Sequence, residues 1–200
     1  MAKWLDTAIF YEIYPQSFQD SNGDGIGDFQ GIIRRLDYIC DLGCNAIWMN
    51  PCFESSFHDA GYDVTDYYQA APRYGTNEDL RQLFEEVHRR GMHILLDLVP
   101  GHTSVESAWF KASCSLEENE YSNRYIWTND MMWSKETIPG INNWLYGISD
   151  RASAVAVNCF STQPALNYGF GTVRLHGSFP PNPRRHRKAP DPAGYHVLLA

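Results

Sequence analysis

The chain has 200 residues, 44% hydrophobic and 14% aromatic, enough for one ordinary core but short of the roughly 250 residues of a complete (β/α)8 barrel. A formal charge of -8 argues against nucleic acid, whose phosphate backbone is bound through clustered Lys and Arg, and favours a neutral ligand. No apolar run follows Lys3, no uncharged stretch reaches the ~20 residues of a membrane span, and the five cysteines lack zinc-site or paired spacing, so no signal peptide, no membrane and a reducing cytoplasm are expected.

The first hundred residues alternate strand and helix. Ala8 to Tyr14 is a β-rich apolar run ended by Pro15, Ala46 to Met49 is a second before Pro51, and His93 to Val99 is a third. Between the first two, Ile32, Ile33, Leu36, Ile39 and Cys40 share one helical face, with Gly43 as the C-cap. Between the second and third, Leu80, Leu83, Phe84 and Val87 form an i, i+3, i+4, i+7 stripe, capped by Thr76 with Asp79 and ended by Gly91. The order βαβαβ requires parallel strands, as in a doubly wound sheet or a barrel.

Polar loops follow each strand. In the first, Asp20, Asn22, Asp24 and Asp28 recur around glycines and, with the Ile26 carbonyl, offer oxygen ligands to a hard cation such as calcium. The loop copies most of an EF-hand, except that Gly31 stands where a bidentate Glu belongs. An acidic glycine-rich turn that binds nothing is the competing reading. A G-x-G-x-x-G reading fails on Gln30 and Ile26, and three aspartates would repel a pyrophosphate. The second loop, His58 to Tyr68, interleaves Asp59, Asp63 and Asp66 with Tyr62, Tyr67 and Tyr68. Carboxylates accept from hydroxyls and aromatic faces suit the C–H surface of a sugar ring, while ordinary Asx turns are the alternative. The third strand runs through Asp97 into Gly101, His102, Thr103 and Ser104. All three loops follow the C-terminal ends of parallel strands, where α/β folds bind ligands.

Together these runs carry a resemblance. A-I-F-Y-E-I-Y-P-Q-S-F from Ala8, D-S-N-G-D-G-I-G-D, D-A-G-Y-D-V-T-D-Y, Y-G-T-N-E-D-L, H-R-R-G-M-H-I-L-L-D-L-V-P-G-H-T-S and Q-P-A-L-N-Y from Gln163 resemble the N-terminal part of an α-amylase family glycoside hydrolase (family thirteen), on its oligo-1,6-glucosidase and α-glucosidase side. The resemblance runs from about Trp4 to Gly171. It implies an α/β fold, the first three βα units of a (β/α)8 TIM barrel with an inserted domain after strand three, acting on α-glucosides or oligosaccharides with retention. It assigns residues 1–102 to the partial barrel and 103–171 to the inserted segment. By the same resemblance Asp59, Tyr62 and His102 hold the sugar on the non-reducing side, Asp97 supports them, and Gln163 and Asn167 close the inserted domain. Asp20, Asn22, Asp24, Ile26 and Asp28 then form its calcium loop. Gly101 stands where most members carry Asn.

A larger departure bears on activity. Retaining hydrolysis needs two carboxyl groups about 5 Å apart, and the resemblance places them in a G-F-R-x-D motif and on a later strand, neither of which is present. Val173-Arg-Leu-His176 is a faint match with histidine in place of the nucleophile, and neutral imidazole forms no glycosyl ester. No catalytic residue is therefore expected. Residues 172–200 hold five prolines and net +4, leaving -12 for residues 1–171, and are expected to be a disordered tail foreign to the fold. Three functions compete: a truncated, inactive glycosidase, a calcium-dependent carbohydrate-binding fragment, and half of a split glycosidase completed by a complementary chain with the remaining strands. Three barrel strands alone leave an open edge, so aggregation or a partly molten chain is expected.

Overall fold

The computed structural model describes residues 3–128 and 143–168. The Val173 to His176 motif, the 172–200 tail and the last part of the 103–171 segment lie outside the described residues. Among the described residues two units emerge, one from 3–54 together with 67–98, the other from 55–66 together with 99–128 and 143–168.

The first unit runs β1 (Phe10–Ile13), α1 (Pro15–Phe18), α2 (Phe29–Arg34), α3 (Leu36–Asp41) and β2 (Ala46–Met49). After these come β3 (Phe53–Ser55) and β4 (Val64–Ala70), of which residues 55 and 64–66 are counted in the second unit, and then α4 (Asn77–Arg89) and β5 (His93–Leu96). Strands β1, β2 and β5 form a parallel sheet in that order, with Ile13 opposite Met49 and Met49 opposite Leu96. The expected βαβαβ order is therefore present, with shorter strands. Proline has no N–H to give the ladder and here opens α1, so β1 stops ahead of Pro15 while Tyr14 stays extended at φ -91° and ψ 107°.

Alternation gives the sheet two unlike faces. One carries Ile13, Ile47 and Met49, all buried, as are Ile32, Leu36, Ile39, Leu83 and Val87 of the helices. The other carries Phe10 and Trp48, which stay 38% and 43% exposed. Trp4 stacks on His93 at the start of β5, with ring centroids 4.0 Å apart.

The single helix expected across Ile32 to Cys40 is instead two short ones, because Arg35 leaves helical geometry at φ -107° and ψ 3°. The buried stripe survives the break. Helix α4 realises its expected cap: Asp79 N donates to Thr76 Oγ1 at 3.2 Å, and Thr76 N donates to Asp79 Oδ2 at 2.8 Å. Gly91, at φ +70°, ends it. The residues expected as a purely polar loop after the second strand partly join a two-stranded sheet, since β4 begins at Val64 and pairs with β3. Val64 and Ala70 are buried at its two ends, which polarity alone did not reveal.

In the second unit, α5 (Ala108–Ser113) precedes β6 (Trp127–Thr128), β7 (Asn143–Leu145) and β8 (Ala154–Val157), an antiparallel sheet in the order β6-β8-β7. Its core is aromatic. Phe110 stacks on Trp127 at 5.9 Å and meets the edge of Tyr125 at 5.0 Å, with Val155 completing the cluster. The Arg151 guanidinium lies 4.6 Å over Trp127 and donates to the carbonyls of Ser113 and Ser122, both at 2.8 Å. Those acceptors satisfy the guanidinium N–H groups while the cation lies against the ring.

Candidate functional site

Residues 55–63 form a loop around one carboxylate. Asp63 is fully buried, and its oxygens accept from Ser55 Oγ at 2.8 Å, His58 N at 2.9 Å and Asp59 N at 3.3 Å. A buried carboxylate is tolerated only when donors satisfy it, and these three do so. Around it the backbone is strained, with Phe57 at φ 55° and Ala60 at φ 51°. Tyr62 N closes the turn on Asp59 O at 2.7 Å.

The loop presents Asp59, half-buried, to residues 104 positions away in sequence. Gln163 Nε2 donates to Asp59 Oδ2 at 2.6 Å, while Asp59 Oδ1 has no hydrogen-bond partner among the described residues. Gln163 is fully buried. A turn fixes it, because Phe160 N donates to its Oε1 at 3.2 Å and its own N–H donates to Phe160 O at 3.0 Å.

His102 enters from residues 99–104. It pairs with Ala165 in an isolated bridge, its Nε2 lies 2.9 Å from Tyr62 O, and its Nδ1 lies 3.2 Å from Asn158 Nδ2. Burial lowers its pKa below the ordinary histidine value, against opposing pulls from the Tyr62 carbonyl and the charges of Asp59 and Asp63. The ring is therefore neutral around pH 7. Asp59, Tyr62, His102 and Gln163, which are scattered in sequence, thus converge, with Tyr62 joined through its main chain. Asn167 N donates to Arg124 O at 2.7 Å and its Nδ2 to Asn123 O at 3.3 Å. Asp63, expected with Asp59 and Asp66 as an acceptor for hydroxyls, is instead a buried anchor whose oxygens are taken by the loop itself, and Asn158 joins the arrangement without having been marked by sequence. The D-A-G-Y-D run contained a signal for Asp63, whereas nothing local marked Asn158.

Two further expectations lie in the first unit. Asp97 Oδ1 accepts from Trp48 Nε1 at 2.6 Å, and burial, then the Asp97 charge, push the Cys52 thiol up to about 12. The Asp20 to Asp28 loop is closed by its own amides. Asp20 accepts from Asn22, Gly23 and Gly25 N–H at 3.0, 2.7 and 2.8 Å, bonds that lower its pKa, Gly23 most. Asp24 Oδ1 accepts from Ile26 N at 2.8 Å. Asp28 caps α2 by accepting from Gly31 N at 2.7 Å, and also takes Ser21 N and Oγ at 2.9 Å.

No group of three His, Cys, Asp or Glu side chains among the described residues is placed to hold a metal ion. The oxygen donors of Asp20, Asn22, Asp24, Asp28 and Ile26 still fit calcium in kind, because each carboxylate has about four acceptor positions and the amides leave some open. Packing explains the departure from the EF-hand pattern. A Cβ on Gly31 would stand 1.9 Å from Gln19 O, so no glutamate fits there.

Comparison with known proteins bears on all of this. The family profile for "Alpha amylase, catalytic domain" matches residues 12–170. The oligo-1,6-glucosidase of Bacillus sp. (strain F5) is 47% identical over 144 residues, 72% of this chain and 28% of that protein. The trehalose-6-phosphate hydrolase of Bacillus subtilis (strain 168) is 44% identical over 181 residues, 86% of this chain and 32% of that one. Among solved structures, Bacillus licheniformis trehalose-6-phosphate hydrolase superposes with a TM-score of 0.75 at 39% identity, covering 82% of this chain and 30% of its own. The chain spans about a third of the length of these relatives. Its parallel strands and crossover helices are the N-terminal part of a (β/α)8 barrel.

Proposed function

The chain belongs to the alpha-amylase catalytic-domain family, and from that membership we propose that residues 55–63, 99–104 and 158–163 hold the non-reducing glucosyl unit of an α-linked glucoside. Asp59 Oδ1 accepts from a sugar hydroxyl, Gln163 keeps the carboxylate aimed, Tyr62 offers its ring to the sugar's C–H face, and His102 adds a neutral polar edge. The supporting observation is the Gln163 to Asp59 hydrogen bond of 2.6 Å, which leaves the second carboxylate oxygen for a ligand. An acceptor held this way loses little freedom when the ligand arrives.

Retention needs an acid and a nucleophile across the scissile bond. Asp63 cannot serve, since it is fully buried and its oxygens already accept three donors. Calorimetry of the chain with isomaltose and maltose tests the reading: heat that vanishes in Asp59→Ala supports it. No heat with either sugar, or heat unchanged in Asp59→Ala, overturns it.

A second reading, a split enzyme completed by a complementary chain, is favoured by the sheet face that leaves Phe10 38% and Trp48 43% exposed. Remaining barrel strands would cover that face. A neighbouring reading frame encoding them is the observation to seek. Calcium at the Asp20 to Asp28 loop would tie the turn between β1 and α2, supported by its all-oxygen donor set. A reducing cytoplasmic location is supported by five cysteines that are all free. No helix among the described residues is long and apolar enough to cross a membrane.

A further inference from the structure

We infer that Asn158 is a positioning residue that holds His102 as the neutral Nε2–H tautomer, in space that exists because residue 101 is glycine. Its functional weight rests on the proposed role of His102 in sugar binding; its geometry does not.

The two ring nitrogens face opposite kinds of group. Nε2 lies 2.9 Å from the Tyr62 carbonyl, which only accepts, so Nε2 carries the proton. Nδ1 lies 3.2 Å from the Asn158 amide nitrogen, which only donates, so Nδ1 presents its lone pair. Both contacts specify one tautomer. Turning the amide over would set a carbonyl oxygen against Nδ1 and require an imidazolium. Burial of His102, 8% exposed, opposes that charge. Asp59 and Asp63 pull the other way, and the Asn158 donor at Nδ1 holds the ring neutral against them.

The reach of Asn158 is set by its backbone. It directly follows β8, and its N–H donates to Gln163 O at 3.1 Å. The turn that sends Gln163 to Asp59 therefore sends Asn158 to His102. Room for the amide comes from residue 101, where a Cβ would stand 2.8 Å from Asn158 Nδ2. Gly101 is absent from the positive-φ glycines, so its backbone does not demand glycine. The neighbouring amide does. The obstructing atom ends a flexible side chain, so a methyl group at 101 displaces Asn158 and leaves the fold in place.

The test is NMR of the 200-residue chain labelled with ¹⁵N-histidine, reading both ring nitrogens of His102 near neutral pH and assigning them by their loss in His102→Gln. The expected wild-type signature is a protonated Nε2 with an unprotonated Nδ1. Asn158→Asp replaces the donor by an acceptor and is expected to protonate Nδ1 and raise the His102 titration midpoint by about one to three pH units. Gly101→Ala leaves Asn158 in the sequence and is expected to abolish the single tautomer, which decides the matter if Asn158→Asp fails to fold. An Nδ1–H tautomer or a random-coil His102 signal in the wild type, or a Gly101→Ala chain with an unchanged ring, overturns the inference. No sugar enters the measurement. A chain with the expected tautomer and no glucoside binding refutes the proposed function alone, and one that binds with the other tautomer refutes this inference alone.

Discussion

Replacing Asp63 by alanine isolates the force that shapes the sugar-side loop. Its carboxylate makes two good hydrogen bonds, to Ser55 Oγ at 2.8 Å and His58 N at 2.9 Å, and a long one to Asp59 N at 3.3 Å. Bonds to a charged acceptor contribute about 1.5–3 kcal/mol each, so the two good ones supply about 3–6 kcal/mol. Against them stand Phe57 and Ala60 at φ 55° and 51°, each costing about 1–2 kcal/mol. Loss of the bonds is therefore largely offset once the loop relaxes. Asp63→Ala is expected to lower global stability by only about 1–2 kcal/mol in urea unfolding, while the amides of His58 and Asp59 lose their exchange protection and glucoside binding disappears. Retained protection at both amides would refute the reasoning, because the loop would then be held by something other than Asp63.

Gly31→Ala places a methyl group 1.9 Å from Gln19 O; backbone, not a side chain, must move, and a loss of about 3 kcal/mol or more of unfolding free energy is expected, read as a lower denaturant midpoint. His102 gives stability a pH dependence. Its folded pKa lies below the unfolded value of 6.5, so its contribution is complete above pH 6.5 and is lost as pH falls through the folded pKa. Thermal unfolding from pH 7.5 to 5 is expected to show a fall that is smaller in His102→Gln. Calcium, added after chelation, is expected to raise the unfolding temperature, with the rise abolished in Asp24→Ala, which removes a ligand but leaves the Asp28 cap of α2 intact.

Local chemistry made part of this protein legible. The short apolar runs of β1, β2 and β5, the 3.6-residue stripe of α4 and the Thr76 with Asp79 cap each need only neighbours within a turn or two, so they are written in consecutive residues. The break at Arg35 and the pairing of β3 with β4 were hidden. A helix pattern tolerates a kink without losing its buried stripe, and a strand that mixes buried ends with polar middle positions reads as loop.

The sugar-side cluster divides along the same line. Motif resemblance marked Asp59, Tyr62, His102 and Gln163, yet residue order could not say that Gln163 donates to Asp59 across 104 positions or that Asn158 faces His102. Nor could it show that Asp63 is a buried anchor and Gly101 a space for an amide. Which donor meets which acceptor depends on where two distant segments of backbone come to lie, and directional bonds a few ångströms long are decided only once the chain has packed.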